Sequence, residues 1–412
     1  MLLKERQIDQ YLWDEEIIAR KMVFLSGPRQ VGKTTYARNL IGDRFAGSYH
    51  NWDHPTVRRS YASDPFFFLP TPSSSKPALV IFDEIHKRPH WKDILKGIYD
   101  SLDPSIRLLV TGSARLEWFR KSGDSLVGRY SHFHLLPASL SELLRSDVNH
   151  LWLSNEREWK DPWRSLLSLL SLEQKEAGSL FETLFQFGGF PEPLTRGSER
   201  FLRKWKTDYL SLILREDLRD LAHIKTIETV ERLMDLLPER IGSPLSINAL
   251  VPLLETTFPT IKNYLMQLEK LWVLFSIPPW SKRLARTLRK EKKFYFVNWV
   301  YASEEANRFE NLVAGTLLRA CLSWEDRGLG KAELLYVKML DGREVDFLIA
   351  LNGQPALLVE CKLSDTEPSR FLQNLSQSLG VPFVQVVRRS GIRRIEKQFA
   401  VVSAPVFLSA FP

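Results

Sequence analysis

One eight-residue stretch constrains the fold more than any other part of the 412-residue sequence. Gly27-Pro-Arg-Gln-Val-Gly-Lys-Thr34 has the spacing G-x-x-x-x-G-K-[ST] of a phosphate-binding loop, and it follows the short apolar run 21–26. In such a loop, glycines let backbone N–H groups point at phosphate oxygens, and the next helix adds its positive N-terminal end. The loop therefore predicts a nucleotide site between a strand and a helix.

Within this loop, Lys33 is expected to neutralise the β- and γ-phosphates of ATP, and Thr34 is expected to hold Mg²⁺. The residues predicted to bind the nucleotide are Gly27, Pro28, Arg29, Gln30, Val31, Gly32, Lys33, Thr34, Thr35, Asp83 and Ser113.

A second polar strand end follows the apolar run 78–82, which leads into Asp83 and Glu84. We expect Asp83 to be the second Mg²⁺ ligand beside Thr34, and Glu84 to be catalytic by polarising the attacking water. A third apolar run, 106–110, leads into Thr111 and Ser113, a hydroxyl pair placed to sense the γ-phosphate. Three elements in this order predict an enzyme that hydrolyses ATP, with ATP and Mg²⁺ as its cofactors.

Arg129, in Gly128-Arg-Tyr130, is a candidate arginine finger. Such a residue stabilises charge on the transferring phosphoryl group of a neighbouring subunit, so this catalytic role predicts a homo-oligomer. A surface salt bridge is the alternative interpretation.

Strand and helix patterns alternate from residue 21 to residue 112, which predicts an α/β fold with a parallel sheet covered on both faces. From about residue 139 to residue 240 strand patterns disappear and helical spacing dominates. Alternating strands and a helix around 307–321 follow in the last part of the chain.

Positive charge is concentrated in Lys282–Lys293, where seven of twelve residues are Lys or Arg, in a chain of net charge +8. Two helical patterns, 246–254 and 259–271, precede this run with the proportions of a helix-turn-helix, so the run takes the place of a wing. Thr260, Lys262, Asn263 and Gln267 are expected on the polar face of the second helix. This arrangement predicts DNA as a partner through phosphate contacts, whereas a solvated hairpin or a structural spacer is the alternative.

A predicted hairpin near the end of the chain carries Asp346, Glu360 and Lys362. Side chains alternate along a strand, so Glu360 and Lys362 share a face. A two-residue turn at Asn352-Gly353 would turn Asp346 away from Glu360, and a three-residue loop 352–354 would bring the two together. We expect the three-residue loop.

Two carboxylates on one face can hold Mg²⁺ or Mn²⁺, and an adjacent lysine can orient or deprotonate water. The spacing resembles the PD-(D/E)xK nuclease superfamily, with Asp346, Glu360 and Lys362 as its triad and Glu310 as the additional acid. Metal ligands are then Glu310, Asp346 and Glu360, and Lys362 is catalytic. Cross-strand salt bridges on a surface strand are the alternative.

Four segments resemble, in this order, bacterial and archaeal AAA-type ATPases whose C-terminal domain is similar to a restriction nuclease and has no settled function. The segments are GPRQVGKTT, IFDEIHKRPHWKDILKGIYD, TGSAR and GGFPEPL. The resemblance implies an α/β P-loop ATPase core at 1–138, a helical lid region at 139–225, a winged-helix-like segment with a basic wing at 226–300 and a nuclease-like α/β domain at 301–412. It assigns nucleotide roles to Lys33, Thr34, Asp83, Glu84, Ser113 and Arg129.

Composition indicates neither a disulfide-stabilised nor a membrane-spanning protein. Two cysteines, Cys321 and Cys361, are too few for a disulfide framework, and no segment approaches the ~18 apolar residues of a membrane span, so we expect a soluble cytoplasmic protein with no membrane partner. The preferred function is an ATPase whose nucleotide state controls a DNA-contacting, nuclease-like domain. A non-cleaving switch that binds DNA or protein, and an AAA-type protein remodeller, remain as alternatives.

Overall fold

The computed structural model describes residues 6–69, 76–112, 126–145, 161–218, 227–280, 291–339 and 341–412. The chain divides into an N-terminal unit, residues 4–136 with 270–272, and a C-terminal unit, which holds 137–269 and 273–412. Among the helices of the described segments, none has the length and apolar character needed to cross a bilayer.

The N-terminal unit is built on a five-stranded sheet in which every pair of neighbouring strands is parallel. Its strands are Met22–Ser26 (β1), Ala46–Asn51 (β2), Ala78–Asp83 (β3), Ile106–Thr111 (β4) and Tyr130–His134 (β5), in the order β2-β3-β4-β1-β5. Its helices are Glu15–Ile18 (α1), Lys33–Asp43 (α2), Pro55–Ser63 (α3) and Trp91–Ser101 (α4), with short 3-10 helices at Gln7–Gln10 and Ile85–Lys87. The predicted parallel α/β sheet is confirmed.

Both faces of this sheet are covered, because successive side chains of a strand point to opposite sides. Val23 of β1 packs with Leu12 and Leu40 in one apolar cluster, whereas its neighbour Phe24 packs with Trp91 in another. β4 lies between β1 and β3, so the carboxyl ends of three strands meet at one edge. That edge carries all three polar strand ends noted in the sequence.

The first part of the C-terminal unit is helical and ends in a hairpin. Its helices are Leu140–Leu143 (α5), Pro162–Leu170 (α6), Ala177–Phe187 (α7), Pro191–Arg196 (α8), Glu199–Leu212 (α9), Ile227–Leu236 (α10), Ile247–Leu254 (α11) and Phe258–Lys270 (α12), and α9 continues into a π-helical turn, Ile213–Leu218. Leu274–Ile277 (β6) and Lys293–Phe296 (β7) pair antiparallel. Helices followed by a hairpin are the order expected for a winged helix, which stays a prediction, as do the predicted domain boundaries.

Two details differ from the predicted DNA-binding surface. Gln267 is buried and donates to Asn263 Oδ1, so its expected projection into solvent is wrong. Lys293, counted in the basic run, is 2% exposed at the start of β7. Residues 281–290 of that run lie outside the described residues.

The last part of the C-terminal unit is a six-stranded mixed sheet with three helices. Its strands are Ala332–Lys338 (β8), Glu344–Leu351 (β9), Gln354–Lys362 (β10), Phe383–Val387 (β11), Arg393–Ile395 (β12) and Phe399–Ser403 (β13), in the order β12-β13-β11-β10-β9-β8. The helices are Glu305–Asp326 (α13), Arg370–Leu379 (α14) and Ala404–Leu408 (α15), and Trp299–Tyr301 forms a 3-10 helix. β10, β11 and β13 are parallel, and the other pairs are antiparallel.

The turn between β9 and β10 differs from the prediction. Leu351 pairs with Gln354, so the turn has two residues, Asn352 and Gly353, with φ of 50° and 79°. Positive φ at both positions is what a type I′ turn requires.

The register then shifts by one residue between Pro355 and Leu357, and Val359 pairs with Phe347. Proline has no N–H to give to the ladder, which is why such an irregularity is tolerated there. The expected three-residue loop is wrong. The bulge supplies the extra residue instead, so Asp346 and Glu360 follow as the next opposed pair on one face.

Substitution of Gly353 by alanine is expected to destabilise the C-terminal unit by about 1–2 kcal/mol, because only backbone strain opposes it. A Cβ at this glycine meets no atom within 4 Å, and φ is positive. Gly315 of α13 also has open space and no positive φ, so Gly315→Ala should instead stabilise by up to about 1 kcal/mol. Urea unfolding of both variants measures the difference, and equal effects would contradict the turn assignment.

Candidate nucleotide site and carboxylate cluster

The phosphate-binding loop joins β1 to α2. Its backbone has positive φ at Gly27, Gln30 and Gly32, with values of 150°, 58° and 101°. A Cβ on Gly27 would lie 2.0 Å from the carbonyl oxygen of Leu135, so only glycine fits there. Gly32 precedes α2 and gives it no side-chain cap. The first N–H groups of the helix are therefore left for an anion.

Lys33 is nearly buried at the start of α2. Its ammonium donates to the carbonyl oxygens of Gly27, at 2.8 Å, and Pro28, at 2.6 Å. These bonds draw the lysine across its own loop, where phosphate oxygens can replace the two carbonyls.

Asp83, at the end of β3, accepts hydrogen bonds from three hydroxyl groups. Thr34 donates at 2.8 Å and Tyr49 at 2.5 Å to Oδ2, and Thr111 donates to Oδ1. The two residues predicted to hold Mg²⁺, Thr34 and Asp83, are thus already in contact. Thr111 is fully buried and donates to Asp83, and its expected role at the γ-phosphate stays a prediction.

Sequence reasoning missed Tyr49, because strand β2 was not anticipated. Residues 46–51 read Ala-Gly-Ser-Tyr-His-Asn, a polar pattern that is weak for a strand. Gly47 helps to explain why this polar segment still forms a strand. A Cβ at Gly47 would lie 1.8 Å from the carbonyl oxygen of Leu79, so the glycine lets β2 approach β3. Ser113 lies outside the described residues.

Glu84 follows Asp83 in a left-handed backbone conformation, with φ of 60°. Its Oε2 lies 3.3 Å from the ammonium of Lys87 and 3.5 Å from Nε2 of His86, while Lys87 also pairs with Asp53. Burial raises the pKa of Glu84 and Asp83 adds to the increase, whereas Lys87 lowers it. A carboxylate with a raised pKa beside the nucleotide loop is suited to accept a proton from water.

Arg129 forms a bidentate ion pair with Asp100 of α4, at 2.9 Å and 3.3 Å. It precedes β5, whose first residue pairs with Met22, the first residue of β1. Arg129 is therefore at the opposite edge of the sheet from the phosphate-binding loop. The structure has the salt bridge of the alternative interpretation, and the finger role stays a prediction.

The β9–β10 register, continued one step past Val359 and Phe347, sets Asp346 opposite Glu360, and Lys362 lies two residues beyond Glu360 on the same strand. Lys362 Nζ lies 2.6 Å from Glu360 Oε1. Asp346 Oδ2 accepts the backbone N–H of Cys361 at 2.8 Å.

Lys293, which the sequence analysis placed in the basic run, lies among three acidic side chains. Lys293 Nζ lies 3.6 Å from Glu310 Oε1, 3.3 Å from Glu344 Oε2 and 3.9 Å from Asp346 Oδ1. We call these four residues the carboxylate cluster. Burial alone would lower the pKa of Lys293, but the three carboxylates raise it above its ordinary value. Burial and the nearby Asp346 raise the pKa of Glu310 to about 8.

In the described ranges, no group of three or more His, Cys, Asp and Glu side chains has an arrangement that could hold a metal ion. The metal roles predicted for Glu310, Asp346 and Glu360 therefore stay predictions, and Lys293 already supplies a cation to two of them. Glu344 was not singled out from the sequence, and Lys293 was assigned to the basic run, since charged residues at a strand start usually face solvent.

Comparison with known families gives the N-terminal unit a class. Residues 19–144 match the model of a family described as AAA domain. This part of the chain is similar to AAA domains, and it is called the AAA domain below. Residues 178–299 match a second model, described as a domain of unknown function (DUF8612). The AAA domain contains the loop, Asp83, Glu84 and the parallel sheet.

Relatives with similar sequences carry no functional description. An uncharacterized protein of Mycobacterium tuberculosis is 23% identical over 341 residues, which cover 81% of this chain and 68% of the relative. An uncharacterized protein of Methanocaldococcus jannaschii is 25% identical over 318 residues, covering 72% and 64%. The solved structure of the Aeropyrum pernix ORC1 protein in complex with DNA is 15% identical, covers 71% of this chain and 86% of that chain, and has a TM-score of 0.28, too low to support an inference.

Proposed function

We propose that the AAA domain binds ATP and hydrolyses it with Mg²⁺. The observation that carries this proposal is the meeting of Lys33, Thr34, Asp83 and Glu84 at one edge of the sheet. Each has the chemistry that phosphoryl transfer needs: a cation, a hydroxyl and a carboxylate for the metal, and a base.

Each of these residues has a separate role in binding or hydrolysis. Loop N–H groups and Lys33 hold the phosphates, and Thr34 with Asp83 would hold Mg²⁺, which supplies positive charge beside the phosphate oxygens. Tyr49 and Thr111 hold the Asp83 carboxylate in place through their hydroxyls. Glu84 accepts the proton of the attacking water.

Phosphate release from ATP by the purified chain tests the proposal. We expect turnover in Mg²⁺ and none when EDTA removes the metal, because the charge on the phosphates is then unscreened. Turnover that is unchanged in EDTA would exclude the Thr34–Asp83 pair as a metal site.

The pH dependence of hydrolysis should report Glu84. This carboxylate acts as a base only when deprotonated, and its pKa is raised, so kcat should fall as the pH drops through that raised pKa. Lys87→Met removes a charge that lowers the pKa, so the fall in kcat should move to higher pH. Lys96→Met, on the exposed side of α4, is the control. A profile of Lys87→Met that coincides with the wild type would contradict this assignment.

We also propose that the C-terminal unit contacts DNA through the connection between β6 and β7, with a homo-oligomer as the working assembly in the cytoplasm. Support comes from the charge of residues 282–292, which follow β6 and precede β7 in the sequence, the position of a wing. Lys292 is exposed and contributes to this charge, whereas Lys293 does not.

DNA binding should weaken steeply with salt, because released counterions drive it. Changing Arg289, Lys290 and Lys292 to alanine should reduce the slope of log K against log[salt] by about one for each phosphate that is no longer neutralised. Lys338→Ala, outside the hairpin, is a control of equal charge change per residue. Fluorescence anisotropy on duplex DNA from low to high salt measures this, and a slope that stays unchanged would remove the hairpin from the DNA surface.

Two versions of the second function remain, a nuclease-like domain controlled by the ATPase and a switch that does not cleave. The shared face of Asp346, Glu360 and Lys362 supports the first. The ammonium of Lys293 among the acids supports the second, because an acid cluster with its own cation is suited to structure rather than metal-dependent cleavage.

A further inference from the structure

The carboxylate cluster lies where several segments of the C-terminal unit meet. β7 contributes Lys293, α13 contributes Glu310, and β9 contributes Glu344 and Asp346. The lysine is 2% exposed, and its ammonium also lies 5.3 Å from the ring centroid of Tyr336 in β8. A buried ammonium requires compensation, and here the compensating acids all come from other elements.

The position of Lys293 is fixed by the backbone around it. The side-chain amide of Asn311 donates to the Phe296 carbonyl at 2.7 Å and accepts the Phe296 N–H at 3.0 Å, so α13 holds β7 as a neighbouring strand would. Lys293 and Tyr295 are two residues apart and face α13 together, and the Tyr295 hydroxyl donates to Glu310. The adjacent Lys292 points away, where it reaches Ser276.

Asp346 and Glu344 each give one oxygen to a fixed partner and the other to Lys293. Asp346 uses Oδ2 for the N–H of Cys361 and Oδ1 for Lys293. Glu344 uses Oε1 for Lys338 and Oε2 for Lys293. The inner oxygens of two acids and the carboxylate of Glu310 therefore converge on one point, and that point holds the ammonium.

The second observation is that a carboxylate oxygen of Glu360, near the cluster, has no partner among the described residues. Glu360 is 6% exposed, and within the described part of the chain its Oε2 has no hydrogen-bond partner. A buried carboxylate oxygen without a partner is costly, and a cation is the species that relieves it best. The residues thus have the chemistry for a divalent metal, but the arrangement does not fit one while Lys293 is in place.

We propose that Lys293 is an internal cation that fills the carboxylate cluster and keeps divalent metal out of it. A divalent ion and the ammonium compete for the same oxygens, and the ammonium is tethered to the chain, so its effective concentration far exceeds that of a free ion. The wild-type cluster then needs no metal for its stability. Removal of the ammonium leaves three acids that repel one another and can accept Mn²⁺.

Thermal unfolding with and without Mn²⁺, in the absence of nucleotide, tests this proposal. Lys293→Met should lower the Tm, and Mn²⁺ should restore several degrees of it, whereas Lys293→Met with Asp346→Asn should not respond to Mn²⁺. Lys338→Met is the matched control, because it removes a lysine from Glu344 while leaving Lys293 in place, and it should gain no response. Asp83 is present in every variant, so differences among them isolate the cluster.

Electron paramagnetic resonance of free Mn²⁺ gives a second readout that does not depend on unfolding. Lys293→Met should bind one Mn²⁺ more than the wild type, and Lys293→Met with Glu344→Gln provides a less charged form if the single variant does not fold. Wild-type Mn²⁺ binding that Asp346→Asn abolishes would overturn the proposal, as would a Lys293→Met variant that binds no more Mn²⁺ than the wild type. Neither outcome depends on ATP hydrolysis.

Discussion

Replacing Lys33 with alanine is expected to weaken ATP binding roughly 10- to 100-fold, because a charge-assisted hydrogen bond to phosphate contributes about 1.5–3 kcal/mol. The same change removes the two bonds from the ammonium to the carbonyls of Gly27 and Pro28. The loop backbone and α2 keep the rest of their sequence, so the weaker binding reports the ammonium itself. Titration calorimetry with ATP and Mg²⁺ measures it.

Lys96→Ala is the control for this variant. Lys96 is exposed on α4 of the same unit, and its replacement changes the net charge equally. Its ATP affinity should equal that of the wild type. An affinity of Lys33→Ala within twofold of the control would remove the loop from the nucleotide site.

Replacing Glu84 with glutamine is expected to leave ATP binding intact and to reduce kcat by a factor of about 10²–10⁴, the usual contribution of a general base. Glutamine keeps the shape of the side chain but cannot accept the proton. The substitution also replaces the ion pairs of Glu84 with Lys87 and His86 by neutral contacts, so thermal unfolding of the variant is measured beside its activity.

Glu16→Gln provides the corresponding control, since Glu16 is an exposed carboxylate of α1 in the same unit. Its kcat and its affinity for ATP should match the wild type. Equal turnover in Glu84→Gln and this control would transfer the role of base to another group.

The geometry of the proposed nucleotide site was predictable because the sequence signal for it is local. The loop 27–34 and the acids after β3 depend on residues close in sequence, and their positions at strand ends follow from the alternation of strands and helices. Tyr49 was not predictable, since the polar strand β2 forms only through pairing with β3. Tertiary pairing overrides weak strand propensity there.

The carboxylate cluster was predictable only in part, because its geometry depends on residues far apart in the sequence. Alternation along β10 placed Glu360 and Lys362 on one face, but the route by which Asp346 joins them depends on a bulge near Pro355 that no turn signal indicates. Lys293 was assigned to the basic run because composition does not show which of two adjacent lysines turns inward. Only the pairing of β7 with β6 and its contact with Asn311 decide that Lys293 is buried.

A single-turnover experiment tests most directly whether the AAA domain hydrolyses ATP through Glu84. Enzyme in excess is mixed with γ-labelled ATP and Mg²⁺, quenched at intervals, and analysed for phosphate. The wild type should convert its bound ATP to ADP and phosphate, while Glu84→Gln should retain the bound ATP uncleaved over the same period. Bound ATP that stays intact on the wild type, or cleavage at the wild-type rate by Glu84→Gln, would contradict the proposed function.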